Sequence, residues 1–256
     1  MSTAARRRSC DERVSLNAPP TVIPFNADGV TVAQVRRTDG IVSYRLPCAT
    51  VTPGKALRLN SGGLEFGEPP PLRDMPAIDD QLAFLGRHFQ HECGIWAKYS
   101  RLFIERYFDF IAREVSAHRA ELTDRLARYG TLYDVDHWSF SALRPLPRAH
   151  LAAPEGPEDS PPESLVPASI AFWTADGAVA VDLIGGATRG QREAVRRARL
   201  DAAGIRVIEM PHEILTRGDI DAFAARMPDD FHTFWRGEAL PSGPFRADAG
   251  PLALPD

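Results

Sequence analysis

A chain of 256 residues with a formal net charge of −4 and a pI near 6.0 has room for one large or two small domains around a sizeable core, and it is not a strongly basic nucleic-acid coat. Mean hydropathy is −0.24, and no run approaches the roughly 20 apolar residues of a membrane span, so no membrane association is expected. The arginines at positions 6–8 are followed by no apolar run, which argues against a secretory signal. The 3 cysteines (Cys10, Cys48 and Cys93) suit a reducing, cytoplasmic setting better than a disulfide framework.

Residues 1–20 are polar and arginine-rich and end in Pro19-Pro20, the composition of a flexible arm. Residues 21–68 hold short β-prone runs, Thr21-Val-Ile-Pro-Phe, Val30-Thr-Val-Ala-Gln-Val and Ile41-Val-Ser-Tyr-Arg-Leu. They are separated by turn formers Asp28-Gly29, Asp39-Gly40 and Gly62-Gly63, which predicts a small antiparallel β region. A proline linker from Pro69 to Pro76 follows.

Residues 77–130 read as a helical segment. Leu82, Leu85, Phe89, Cys93, Trp96, Tyr99, Phe103, Tyr107, Phe110 and Val115 recur at helical steps. One unbroken helix would be about 75 Å long, so the spacing predicts a break near Gly94 or around Ser116, giving two or three helices.

Residues 131–235 alternate between strand and helix patterns. The expected strands are Trp138-Ser-Phe-Ser-Ala-Leu, Ser169-Ile-Ala-Phe-Trp, Ala178-Val-Ala-Val-Asp-Leu-Ile and Ile205-Arg-Val-Ile-Glu-Met. An acidic, proline-rich loop, 154–162, lies between the first two. A helix over 190–203, stopped by Gly204, joins the third and fourth strands into a right-handed βαβ unit, and a last helix spans 212–226. Residues 236–256 read as a disordered tail.

Four groups of residues invite a chemical reading. Asp182 stands at the open end of a buried strand, where a carboxylate needs a partner, either a metal or a cation such as Arg189. Arg189, Arg192, Arg196 and Arg199 fall within an arc of about 80° on the following helix, opposite Ala194, Val195, Ala198 and Ala202, and could track phosphates as a local nucleic-acid face. Their alternative is a solvated face paired with the acidic loop. His88, His91 and Cys93 have partial metal-ligand spacing, although Cys93 lies on the apolar stripe. Asp134-Val-Asp136-His137 could place carboxylate and imidazole on one face of a strand, or serve as a turn.

The acidic strand end followed by Glu193, Arg196, Leu200, Gly204 and Val207 resembles the Vsr-like branch of the PD-(D/E)XK, or restriction-endonuclease-like, superfamily. There a strand ending in Glu-x-Asp-Gly leads to a helix with Asp/Glu-x-x-Arg-x-x-x-Leu-x-x-x-Gly and then to a hydrophobic strand. The resemblance covers residues 166–227 and implies an α/β fold with a restriction-endonuclease-like core. It also implies a site in which carboxylates hold Mg²⁺ and a lysine assists. Here only Asp182 matches: Ala180 stands where the partner glutamate belongs, Ser169 near the acid of the preceding strand, and Ile184 at the lysine position. Lys98 or Gln191 would have to orient water or phosphate, and Glu105 or Glu114 to lend a carboxylate. The expectation is therefore a non-catalytic nuclease-fold protein that binds nucleic acid or protein. The alternative is a Mg²⁺- or Mn²⁺-dependent nuclease with a rearranged site, Asp182 holding the metal.

Overall fold

The computed structural model describes residues 21–23, 33–37, 40–44, 56–59, 77–130, 132–152, 165–185, 191–202 and 204–241. The N-terminal arm, the proline linker, the acidic loop, Arg189 and residues 242–256 lie outside these. Three short strands come first: β1 (Thr21–Ile23), β2 (Ala33–Arg37) and β3 (Gly40–Tyr44). Helices α1 (Ile78–Glu92), α2 (Lys98–Ala117) and α3 (Arg119–Arg125) follow, then a 3₁₀ helix (Val135–Ser141). The C-terminal half contains β4 (Leu146–Pro147), β5 (Ala149–Ala152), β6 (Leu165–Pro167), β7 (Ile170–Thr174), β8 (Gly177–Ile184), α4 (Gln191–Ala202) and β9 (Arg206–Pro211). It closes with α5 (His212–Arg217), α6 (Ile220–Ala224) and α7 (Asp229–His232).

The centre is a four-stranded mixed sheet in the order β4-β7-β8-β9. β7 runs antiparallel to β8, with Phe172 opposite Val179, and β8 runs parallel to β9, with Asp182 opposite Glu209. The chain is therefore α/β, with a βαβ crossover through α4, as the apolar run 178–184 and the helix behind it predict. Gly204 ends α4 as expected. Its φ of 69° is open to glycine at no steric cost, and the turn lets the Ile205 N–H reach the Leu200 carbonyl at 2.9 Å.

Strand alternation sorts the core into two faces. Ile170, Phe172, Val179, Val181, Ile208 and Met210 point to the side covered by α1, α2 and the C-terminal helices. Ala171, Trp173, Ala178 and Ala180 point to the other side, with Leu200 of α4. The first face is aromatic: Phe172 lies 5.1 Å from the Tyr107 ring and 4.9 Å from Phe231. Tyr107 also donates its hydroxyl to the Leu143 carbonyl at 2.7 Å, tying α2 to the segment before β4. Burial, slightly opposed by nearby Arg58, pushes the Tyr107 hydroxyl well above its ordinary pKa, so it stays a donor. Tyr107→Phe leaves that buried carbonyl without its partner and should cost about 1–2 kcal/mol in urea unfolding, with m unchanged.

Of the two alternative breaks the helical segment takes both, between Glu92 and Lys98 and at His118, and so forms three helices. Elsewhere the structure differs from the sequence pattern. Residues 138–143 are not a strand: Val135–Ser141 winds as a 3₁₀ helix, because the Asp134 backbone N–H donates to His137 Nδ1 at 2.9 Å and closes the first turn. The helix expected over 212–226 divides at Gly218, whose φ is 68°, into α5 and α6.

The N-terminal β residues do not all stand apart. β2 and β3 form the expected hairpin, but β1 pairs with β5 in parallel. Residues 56–59 run along the edge of the C-terminal half, the Leu57 N–H donating to Trp173 and the Leu59 N–H to Ala142. Nor does packing stop at Trp235. Glu238 pairs with Arg58 at 3.0 Å, and Leu240 rests against the core.

Candidate functional site

Asp182 and Glu209 occupy matched positions on parallel neighbours, so both carboxylates leave the sheet on the α4 side. Two arginines from α4 meet them. Arg196 pairs with Asp182 and, at 2.6 Å, with Glu193 one turn back; Arg197 pairs with Glu209. Asp182 is buried, 8% exposed, and the Arg196 side chain 17%. Burial works against the Arg196 charge, but the hydrogen bonds it donates to Glu193 and Asp182 outweigh it and hold the guanidinium above its ordinary pKa. For Arg197 the hydrogen bond it donates to Glu209 dominates and acts in the same direction. Three carboxylates and two guanidiniums thus interleave where β8 and β9 end.

This geometry turns α4 away from the orientation that its arginine arc predicts. Ala194, Val195, Ala198 and Ala202 are exposed, while Leu200 is buried and Arg196 is drawn inward. The physical reason is that two carboxylates wait on the sheet surface beneath the helix. Pairing a buried carboxylate outweighs burying alanine methyl groups, which offer little apolar area. Arg199 stays exposed; the side chains of Arg192 and Gln191 lie outside the described residues. The partner of Asp182 is Arg196, not a metal-ligand neighbour on α2. Glu193 belongs to the helix motif read from the sequence, whereas Glu209 was the missed member; the shared parity of Asp182 and Glu209 in the two parallel strands is the sequence signal that could have found it.

Lys98 begins α2, on the opposite face of the sheet from Asp182. Its ammonium lies 5.5 Å from the centre of the Tyr99 ring. Tyr99 stacks on His212, the first residue after β9, with centroids 3.4 Å apart and planes within 6°. Gly185 completes the arrangement: a Cβ there would come within 3.0 Å of the His212 ring. The carboxyl ends of β8 and β9 are thus bracketed by a charged cluster on one face and by Lys98, Tyr99 and His212 on the other. Sequence reasoning missed His212, which carries no motif and reaches Tyr99 only through the fold.

The remaining candidates are taken up by the structure. Glu105 pairs with Arg106 at 3.0 Å, and Glu114 lies buried with His232 at 3.3 Å, about four turns along α2 from Tyr99. His88, His91 and Cys93 diverge. His91 is exposed beside Glu92, and Cys93 is buried, its thiol pushed up to about 12 chiefly by burial. Burial also lowers the pKa of His88. His137 is buried, its Nδ1 held by the Asp134 N–H, while Asp136 pairs with Arg119 at 3.1 Å. No described helix is long and apolar enough to cross a membrane. No family model, no curated protein and no solved structure matches the chain.

Proposed function

We propose that this chain is a non-catalytic protein with a restriction-endonuclease-like core, and that it binds nucleic acid. The antiparallel pair β7–β8 followed by the parallel crossover from β8 through α4 to β9 supports the fold reading. The observation that carries the functional reading is the Arg196 guanidinium seated on Asp182. Mg²⁺ requires several hard oxygen ligands, and the donor set here does not fit it: Asp182 and Glu193 share Arg196, and Glu209 is held by Arg197. A cation at Asp182 would have to displace an internal ion pair. With Ala180, Ser169 and Ile184 at the other motif positions, no carboxylate or lysine of the motif remains to compensate.

Phosphate contact falls to exposed cations instead. Lys98 and Arg101, in the first turn of α2, are exposed and make no ion pair with a carboxylate among the described residues. Backbone phosphate contacts of this kind act through counterion release and give salt-dependent affinity. The test is to incubate the protein with labelled single- and double-stranded DNA and RNA in Mg²⁺ and in Mn²⁺, beside Asp182→Asn. The expected result is no cleavage, with binding by anisotropy that weakens steeply between about 50 and 200 mM salt and survives the substitution. Cleavage abolished by Asp182→Asn would establish the nuclease reading in its place.

A further inference from the structure

The chain has 4 tryptophans, and three of them, Trp138, Trp173 and Trp235, are buried. Trp96 is 92% exposed and its neighbour Ile95 is 76% exposed, both in the turn between α1 and α2. Trp96 falls on the apolar stripe by spacing, yet it is the one residue of that stripe fully turned to water. The fold does not need it there. Gly94, with a φ of 87°, ends α1, and the Ala97 N–H returns to the Gly94 carbonyl at 3.3 Å, so the turn closes through its backbone.

The surroundings are cationic. Lys98 and Arg101 follow on α2, and Arg87 is exposed near the end of α1. Arg101 and Arg148 both lie close enough to Cys93, at the base of the turn, to act on its thiol. The acid nearest in sequence is Glu92, half-buried and 3.9 Å from His91. A protruding indole within a rim of positive charge suits a ligand that combines a flat π-face with anionic links.

We infer that the turn 94–98 is a stacking platform for a base of single-stranded nucleic acid, with Trp96 taking the base and Lys98 and Arg101 the flanking phosphates. This rests on the nucleic-acid reading above and assigns it a site. A single strand is favoured over a duplex, whose bases are already stacked. It is favoured over a lipid surface because only two residues project: Ala97 is half-buried, Lys98 is charged, and no continuous apolar helix face accompanies them.

Because the other three tryptophans are buried, intrinsic fluorescence accessible to iodide reports on Trp96. Titration of the full chain with oligo-dT and oligo-U should quench that signal and protect it from iodide. Trp96→Ala should weaken binding about tenfold or more at unchanged melting temperature, and Trp96→Phe should recover most of the loss. Lys98→Ala should lower the slope of log K against log salt by about one. Full-affinity oligonucleotide binding by Trp96→Ala overturns the platform and leaves the nucleic-acid reading standing. No oligonucleotide binding by the unaltered protein overturns both. In that case a parallel titration with phosphatidylcholine–phosphatidylglycerol vesicles that quenches Trp96 would reassign the turn to an anionic membrane surface.

Discussion

Arg196→Ala is expected to destabilise the fold by about 3 kcal/mol, lowering the melting temperature by about 6–12 °C in a chain of this size. The loss is that of a buried carboxylate deprived of the guanidinium bonded to it: Asp182 is 8% exposed and Arg196 is its ion-pair partner. The reverse change, Asp182→Ala, should cost distinctly less, since Arg196 keeps Glu193 at 2.6 Å. Replacing both at once, as Asp182→Leu with Arg196→Met, removes the two charges together and should recover most of the stability lost in Arg196→Ala. Recovery relative to Arg196→Met alone, which keeps the aliphatic bulk and removes only the charge, separates a desolvated charge from a mere loss of packing, read by calorimetry. A double variant no more stable than Arg196→Met alone would show that the unpaired carboxylate is not the source of the loss.

The second large effect belongs to Phe172. Its ring joins the sheet to both helical groups, 5.1 Å from Tyr107 on α2, 4.9 Å from Phe231 on α7 and 6.3 Å from Phe103. Truncation to alanine opens a cavity that none of these rings can fill without moving away from its other neighbours. A loss of about 4 kcal/mol is expected, measured as a fall in the urea midpoint at constant m. Val195→Ala is the internal control. Val195 is 48% exposed on the outer side of α4, and its truncation should change stability by no more than about 0.5 kcal/mol.

What the sequence pattern discloses and what it conceals divide along a physical line. Buried strands and the helix stops are local. The apolar run 178–184, Gly204 in its left-handed turn and the breaks at 93–97 and 118 can be read from neighbours a few residues apart. The facing of α4 is not local. Its arginine arc describes a solvated surface until Asp182 and Glu209, brought into register by strand pairing, offer two carboxylates beneath it. Residues 138–143 have the composition of a strand, and the reciprocal capping of Asp134 and His137 starts a 3₁₀ turn there instead. Residues 56–59 join the edge of a sheet whose other strands lie some ninety or more residues later, which no window of sequence can register. The candidate site shares this division. Asp182 and Lys98 could be singled out as residues, but the Arg196 pairing and the Tyr99–His212 stack exist only once β8, β9 and α2 are assembled.

Arg58 carries a consequence for the order of assembly. Its guanidinium donates to the carbonyls of Ser141 and Phe234, both at 2.8 Å, and to Glu238, spanning 83, 176 and 180 residues of chain. Phe231, Phe234 and Trp235 complete the aromatic face from the same late stretch. During N-to-C synthesis the helices and the sheet therefore emerge before the residues that close their core. Until those residues arrive, the apolar side of β7 and β8 lacks the rings of Phe231, Phe234 and Trp235 that complete its cover. Loops of this length make closure slow as well as late. Between those two moments the nascent protein presents an uncapped apolar surface, the window in which a chaperone or a misplaced neighbouring chain has access to it.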